Sequence, residues 1–110
     1  MPLYITQGNF TAESLKRMMA KPEDRSEAIG KFIAAAGGKL HGYYYTFGKY
    51  DFMIIGEAPS EKEAMAAAIV SAGTGSVMNL NTTVAFTSAD AKAVFAKAGS
   101  LAGQFRPAGT

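Results

Sequence analysis

The sequence predicts an α+β fold built on one four-stranded antiparallel sheet, with helices on one face of the sheet and an additional helix at the C-terminus. Two observations lead to this prediction. Segments of strand and helix character follow one another in the order β-α-β-β-α-β, and only two residues join the two central strand segments. A chain of 110 residues suits one domain, to which we assign residues 1–104, with residues 105–110 as a loosely ordered tail.

The first strand and the first helical segment fill the N-terminal third of the chain. The stretch LYITQG at residues 3–8 is short, β-branched and aromatic, which is typical of a strand. Thr11 has the position of a helix N-cap, since its hydroxyl can accept a bond from a free backbone N–H. Pro22 lacks an N–H and should break or kink the helix before it resumes. Gly37 and Gly38 should then end it, because glycine readily adopts the left-handed cap conformation.

The next two strands form a predicted hairpin. Their sequences are KLHGYYYTF and YDFMIIGEA, and Gly48 and Lys49 join them. A two-residue link that begins with glycine fits a type II′ turn, in which the first central residue has positive φ. We therefore expect positive φ at Gly48. In the register that follows from this turn, Thr46 lies opposite Asp51.

The C-terminal half contains two alanine-rich helices with a strand between them. Ser60 and Glu63 have the spacing of a capping box, which should begin a helix that continues to Ala72. The strand SVMNLNTTVAFT alternates and should have one apolar and one polar side. Its predicted apolar side comprises Met78, Leu80, Val84 and Phe86, and its polar side comprises Asn79, Asn81 and Thr83. The second helix follows, capped by Thr87 or Ser88. This order of elements is the split βαβ, or ferredoxin-like, arrangement.

Alternation of side chains divides the hairpin into two faces. The face predicted to pack on the helices is the richer in aromatic residues and comprises His41, Tyr43, Tyr45, Phe47, Tyr50, Phe52 and Ile54. The predicted open face has polar ends and an apolar middle and comprises Leu40, Gly42, Tyr44, Thr46, Asp51, Met53, Ile55 and Glu57. Met53 and Ile55 would leave an apolar patch in water, so we expect a second copy of the chain to cover this face. The expected partner is therefore the chain itself, as a homo-oligomer.

Composition argues against several classes of protein. The chain has 11 basic and 9 acidic residues and no basic stripe, so we expect no nucleic-acid partner. No apolar run approaches the roughly 18 residues of a membrane span, and we expect no membrane partner. The chain has no cysteine and a single histidine, so the usual zinc sites lack ligands, and we expect neither metal nor cofactor. The absence of cysteine fits a reducing cytoplasm, which is the expected location.

A short motif at the hairpin turn carries a family resemblance. Gly48, Tyr50 and Asp51 form a G-x-Y-D sequence that resembles the motif naming the GYD domain family. The segments LYITQGNFT and AAAGGKLHGYYYTFGKYDF are also similar to that family, and the resemblance covers roughly residues 3 to 90. It implies a ferredoxin-like domain of the dimeric α+β barrel type, a superfamily with cofactor-independent oxygenases, isomerases, haem-handling enzymes and plain ligand binders. Kinship of fold does not transfer a function, and the three motif residues carry over without a known role.

Six residues are candidates for binding a small molecule: His41, Tyr44, Thr46, Tyr50, Asp51 and Asn81. Asp51 could act as a base if an enclosed cavity raised its pKa, with Tyr50 orienting a carbonyl group. The alternative, which we favour, is that Asp51 accepts backbone N–H bonds at the turn or pairs with a cation. His41 could be a general base, although a lone histidine on a strand is more often a packed, hydrogen-bonded residue. Tyr44 is free to touch a ligand or partner, and Asn81 could donate a hydrogen bond to a ligand.

Three functions remain open at this point, in order of preference. The first is a homo-oligomeric binding or sensing module that holds a small molecule between the open sheet face and a covering subunit. The second is a cofactor-independent enzyme of oxygenase or isomerase type, with His41 or Asp51 as its base. The third is an assembly or regulatory protein without a ligand. A cavity would separate the third from the first two, and a base with a strongly shifted pKa beside that cavity would separate the second from the first.

Overall fold

The structure, a computed structural model, describes residues 1–110 and confirms the predicted fold class. The antiparallel sheet has the spatial order β2-β3-β1-β4, and its strands are β1 (Leu3–Phe10), β2 (Lys39–Tyr45), β3 (Phe52–Glu57) and β4 (Val77–Ala85). The helices are α1 (Ala12–Ala20), α2 (Ser26–Ala35), α3 (Glu61–Gly73) and α4 (Ser88–Leu101), followed by a 3-10 turn at Ala102–Gln104. The order of elements is ferredoxin-like, with the first helical segment divided into two and α4 added at the end.

Local sequence signals set the helix boundaries as predicted. Thr11 Oγ1 accepts the backbone N–H of Ser14 at 3.1 Å, which begins α1. Ser60 Oγ accepts a backbone N–H in the same way at the start of α3. The predicted break at Pro22 separates α1 from α2. Gly37 follows α2 with a φ of 84°, the left-handed conformation that a glycine stop requires.

The hairpin has the predicted register but a different turn. The N–H of Thr46 donates to the carbonyl of Asp51 at 2.9 Å, as expected. The left-handed residue, however, is Phe47 with a φ of 44°, and Gly48 does not have positive φ. The type II′ prediction is therefore wrong. The Tyr50 carbonyl accepts bonds from both the Thr46 hydroxyl and the Gly48 N–H, and these local bonds close the turn with Phe47, not Gly48, in the left-handed conformation.

A β-bulge in β2 moves two residues to the faces opposite those predicted. The register with β3 shifts between Leu40 and Gly42, so His41 is the extra residue. Leu40 consequently faces the helices, where its side chain lies beside Gly30 of α2, and its predicted place on the open face is wrong. His41 Nε2 lies 3.6 Å from an oxygen of Glu57, which belongs to the open face, so the predicted place of His41 among the helix-facing aromatic residues is also wrong.

A second bulge corrects the predicted division of β4. The register with β1 shifts where Asn79, with a φ of 54°, is inserted opposite Gly8. Met78 pairs with Asn9 and lies on the open face with Asn81, although the alternation predicted opposite faces for them. Leu80 lies over Gly8 on the helix side. An inserted residue reverses the alternation on one side of itself, and the residue inserted here is an asparagine, a type that tolerates the left-handed conformation.

The helices cover the edges of the sheet and leave its middle strands open. α2 lies against β2 and α3 lies against β4, which are the two edge strands. The buried aromatic residues Tyr4, Phe10 and Phe52 belong to the central strands β1 and β3. Phe52 is only 3% exposed, since its ring packs on Phe10 and lies beside Gly8. The gap between the two helices, above these rings, is the main concavity of the fold.

Helix α4 extends away from the rest of the fold. Thr87 Oγ1 accepts the backbone N–H of Asp90 and caps it, which decides between the two predicted caps. Its contacts are chiefly with the 3-10 turn that follows it. The radius of gyration is 17.7 Å, whereas a compact domain of this length has a radius of about 13 Å. None of the helices has the length and apolar character that a membrane crossing demands.

Candidate functional site

A cleft of about 440 Å³ lies between the helix layer and the sheet. It exists because α2 and α3 lie against opposite edges of the sheet, so that the space between the two helices lies above β1 and β3. Most of its lining is hydrophobic, with a few polar side chains. A volume of this size is within the roughly 300–1,000 Å³ of small-molecule sites, which are commonly apolar with a few placed polar groups.

Aromatic rings from three strands form the floor of the cleft and its edge. The rings of Phe10 and Phe52 lie 5.1 Å apart, and Phe10 meets Tyr45 edge to face at 5.6 Å. Tyr43 packs on Tyr45 in the same edge-to-face manner and donates its hydroxyl to the Tyr45 oxygen at 3.4 Å. Burial raises the pKa of Tyr43 far above its usual value, and the bond to Tyr45 adds to this rise. Tyr43 is therefore a neutral hydroxyl at physiological pH.

Small side chains on α3 leave room in the cleft. Its roof on this side comprises Ala64, Ala67, Ala68 and Ser71, which recur at helical spacing. The opposite wall is bulkier and comes from α2, with Ile29, Phe32, Ile33 and Ala36. Alanine gives α3 a smooth inner surface, so the aromatic floor is not filled from above. The alanine content of α3 is visible in the sequence, but it does not show that the space beneath the helix stays open.

One end of the cleft opens into a second, polar concavity of about 570 Å³. Ser14, Met18, Arg25 and Ser76 line both spaces, so the two are continuous. Three cationic side chains line the polar part: Arg17, Lys21 and Arg25. Arg17 forms an ion pair with Glu13 at 2.8 Å, whereas Lys21 and Arg25 form no ion pair. The positive charge of Arg25 also acts on Tyr43, where it opposes the rise in pKa caused by burial.

Asp51 occupies a structural position between two strands. Its side-chain Oδ2 accepts the backbone N–H of Phe10 at 2.9 Å, and its own N–H donates to the Gly8 carbonyl at 2.8 Å. The carboxylate is therefore hydrogen-bonded to the backbone of β1, and it does not line the cleft. Tyr50, its neighbour in the motif, has the Lys49 ammonium 5.7 Å from its ring centre and uses its carbonyl to close the turn.

The other predicted residues are distributed over the open face and the turn. Tyr44, 57% exposed, and Asn81 lie on the open face, on strands at opposite edges of the sheet. Thr46 is in the turn and donates its hydroxyl to a backbone carbonyl at 2.7 Å. His41 is at the far end of β2 beside Glu57. None of the six predicted residues lines the cleft, and their role in binding a ligand stays a prediction.

Sequence reasoning missed the residues that the fold brings together at the cleft. Ser14, Arg25 and Tyr43 come from α1, the residue preceding α2, and β2, so no local spacing connects them. The sequence offered one signal for Ser14, because it lies one helical turn before Met18 on the apolar side of α1. In the structure Ser14 is only 7% exposed. Arg25 offered none, since charged residues precede and follow it in the segment between α1 and α2.

Comparison with known proteins gives a family and similar solved structures. FFRP-DM1 is 16% identical over 78% of this chain and 100% of its own, with a TM-score of 0.45. The hypothetical protein PHS023 from Pyrococcus horikoshii is 13% identical over 79% and 92%, with a TM-score of 0.47. TTHA0845 from Thermus thermophilus is 17% identical over 80% and 96%, with a TM-score of 0.44. A search of curated proteins found no match. The model of the GYD domain family matches residues 4–95, a span that includes the turn with Gly48, Tyr50 and Asp51, and the chain therefore belongs to the GYD domain family.

Proposed function

We propose that this protein is a homo-oligomer that binds a small molecule in the cleft between the helices and the sheet. The observation that carries the proposal is the cleft itself, about 440 Å³ with an aromatic floor and an alanine roof. An empty apolar space of this size loses dispersion contacts on every wall, and an apolar ligand would restore them. The proposal differs from the sequence-based hypothesis in its location, because the ligand lies on the helix side of the sheet.

The chemistry of the cleft favours an apolar, ring-shaped body with an anionic end. The floor is aromatic, with Phe10 and Phe52 buried and Tyr43 half-buried, and such a floor favours contact with an aromatic ligand. Arg25 stands where the apolar and polar spaces join, and it has no carboxylate partner. A guanidinium binds a carboxylate with two parallel hydrogen bonds, which fixes the orientation of the ligand. Ser14 and the neutral hydroxyl of Tyr43 can add neutral hydrogen bonds.

Binding is preferred to catalysis because neither predicted base is at the cleft. Asp51 is engaged by the Phe10 N–H, and His41 lies beside Glu57 on the other face of the sheet. A general base must lie within hydrogen-bond reach of the proton that it removes. Tyr43, which does line the cleft, is held neutral by burial and is a poor base at physiological pH. Two carboxylates also line the cleft, but the Ser60 hydroxyl binds Glu63 and lowers its pKa, and Glu57 lies beside His41. The groups around the cleft thus favour retention of a ligand over its conversion.

The homo-oligomeric part of the proposal is supported by the open face of the sheet. Ile5, Met53 and Ile55 occupy its middle and are only half-buried in one chain. Tyr44 and Met78 extend this apolar surface towards the two edges. A second copy of the chain that covers it would remove a continuous apolar patch from water. We place the protein in the cytoplasm, since a chain without cysteine fits a reducing compartment.

Calorimetric titration with 2-naphthoate tests the ligand class. The parent protein should bind it, and Ala67→Phe should abolish binding because the new ring occupies the cleft beneath α3. Ala34→Phe, on the exposed side of α2, is the matched control and should bind as the parent does. Equal binding by the Ala67→Phe and parent proteins would refute the cleft as the site.

The anionic end is tested separately with Arg25→Gln. This variant should bind 2-naphthoate about tenfold more weakly, since a hydrogen bond to a charged group contributes about 1.5–3 kcal/mol. Its affinity for the neutral analogue 2-naphthalenemethanol should stay the same as that of the parent. Lys16→Gln removes an exposed charge away from the cleft and should change neither affinity. An unchanged 2-naphthoate affinity in Arg25→Gln would remove the anionic end from the proposal and leave the apolar site.

A further inference from the structure

Helix α4 carries an apolar stripe along one side. The stripe comprises Ala91, Val94, Phe95, Ala98 and Leu101, with helical i, i+3, i+4, i+7 and i+10 spacing. The opposite side presents alanines, and Lys92 and Lys97 flank the stripe. A helix with such a stripe is stable chiefly when the stripe packs on another element, because helices of this length are marginal in water by themselves.

The stripe of α4 has no partner within its own chain. Phe95 is 76% exposed, and Val94 and Leu101 are about half exposed. The helix has no extensive contact with the sheet or with α1, α2 or α3. Phe105, beyond the 3-10 turn, extends the apolar surface and is 77% exposed. An apolar stripe that lies away from the rest of the fold is suited to packing against another chain.

Helix α3 has a complementary unpartnered face. Its inner side lines the cleft, while Met65 and Ile69, one turn apart, project outward and are exposed. Ala72 continues the outward face, so α3 is apolar on both sides. A helix that is apolar all round belongs in the interior of a protein or assembly. The two helices have similar lengths, 13 and 14 residues.

The exposed area of the chain matches the contribution of one subunit to an obligate dimer. One chain exposes 7725 Å². A compact monomer of this mass exposes about 5,800 Å², so the excess is about 1,900 Å². Obligate homodimers bury roughly 1,000–2,500 Å² on each chain. The same chain supplies both unpartnered helix faces. In a two-fold dimer, each copy can therefore cover the outward face of α3 in the other copy with its own α4 stripe.

We propose that α4 is an exchanged arm, whose stripe packs on the outward face of α3 in a second copy of this chain. In the two-fold dimer, each α3 receives the α4 of the other copy. An antiparallel crossing places Lys97 over the first half of α3, which carries Glu61 and Glu63, and aligns the two helix dipoles favourably. This contact rests on the homo-oligomer of the proposed function and specifies how two copies pair, but it requires no ligand, so its failure is distinguishable from a failure of ligand binding.

Cross-linking tests the pairing directly, because the chain has no cysteine of its own. Ile69→Cys is introduced into a tagged full-length chain and Phe95→Cys into an untagged one, and the two are mixed, exchanged and treated with a short bis-maleimide. Both positions are near the middle of their helices, so they approach each other in either helix direction. The expected product is a linked pair of one tagged and one untagged chain. Ala96→Cys, on the other side of α4, is the matched control and should give at least tenfold less of this linked pair.

Each other outcome would overturn the proposal. Equal yields with Phe95→Cys and Ala96→Cys would mean that the chains meet only by collision. A double variant, Ile69→Cys with Phe95→Cys in one chain, that links within itself at low concentration would mean that the arm folds back. Sedimentation provides a second measurement: Phe95→Lys should raise the dimer dissociation constant at least tenfold, whereas Ala96→Lys should leave it within about threefold. Because Phe95 is exposed in the single chain, its replacement should leave the fold intact, and unchanged association of Phe95→Lys would also overturn the exchange.

Discussion

The carboxylate of Asp51 accepts a hydrogen bond from the backbone N–H of Phe10 at 2.9 Å. The N–H of Asp51 also donates to the Gly8 carbonyl, so Asp51 bonds β1 on both sides of Asn9. The regular pairing of β1 with β3 ends at Gly8 and Phe52. Asp51 therefore extends the ladder by one step, with a side-chain oxygen in place of a backbone carbonyl. This is a physical reason for a short acidic residue at the last position of the motif.

Replacement of Asp51 should separate its acceptor role from its charge. Asp51→Asn keeps an oxygen for the Phe10 N–H and should lower the free energy of unfolding by about 1 kcal/mol. Asp51→Ala leaves that part-buried N–H without a partner and should lower it by about 2 kcal/mol. Urea denaturation measures both values. Glu23→Gln, at an exposed carboxylate between α1 and α2, is the control and should remain within about 0.5 kcal/mol of the parent. Equal losses for asparagine and alanine at position 51 would contradict the acceptor role.

Two glycines should respond differently to alanine. Gly37 has a φ of 84°, and an added Cβ would lie 3.1 Å from the Pro59 ring, so Gly37→Ala should lower the free energy of unfolding by about 1–2 kcal/mol. Gly48 lacks positive φ, and a Cβ there would meet nothing within 4 Å. Gly48→Ala should therefore lie within about 0.5 kcal/mol of the parent in urea denaturation. A loss of unfolding free energy at Gly48 as large as that at Gly37 would instead support the type II′ turn.

The sequence predicted those features of the fold that depend on local chemistry. The caps at Thr11 and Ser60, the break at Pro22 and the stop at Gly37 are confirmed, because each rests on hydrogen-bonding groups or dihedral limits within a few residues. The register next to the turn is also confirmed. The element order, which follows from these boundaries, was sufficient for the fold class.

The faces and the cleft depend on long-range pairing, which the sequence does not mark. The bulge at His41 reverses alternation in one half of β2, and the bulge at Asn79 does the same in β4. Asn79 tolerates the left-handed conformation and Gly42 directly follows His41, but neither residue type specifies which position is inserted. The cleft requires α2 and α3 to lie over opposite edges of the sheet, and that separation is set by the packing of whole elements. For this reason Arg25 and Tyr43 were not recognised as neighbours of one site.

Tyr43 should make the stability of the protein sensitive to alkaline pH. Burial raises its pKa in the folded state, so the unfolded chain loses the proton first, at about pH 10. The folded state is therefore at full stability below pH 10 and loses stability as the pH rises above that value. Tyr43→Phe removes this group, so its urea midpoint should fall less than that of the parent between about pH 9 and pH 11. Tyr44→Phe, on the exposed face, is the control and should follow the parent. Parallel pH profiles for Tyr43→Phe and the parent would contradict the assigned cause.

The open face should be an interface between copies of the chain, separate from the arm contact. Ile55 occupies the middle of this face and pairs with Ile5 on the neighbouring strand. Ile55→Lys would bury an unpaired charge if a second copy covers the face, and it should raise the dissociation constant of the oligomer at least tenfold, or about 1.4 kcal/mol. Ala35→Lys adds the same charge at the exposed end of α2 and should change association by less than about threefold. Sedimentation equilibrium measures both, with circular dichroism to verify that each variant is folded. Ile55 is only half-buried within one chain, so the lysine can reach solvent in the monomer, and unchanged association of a folded Ile55→Lys protein would show that the sheet face is not the interface.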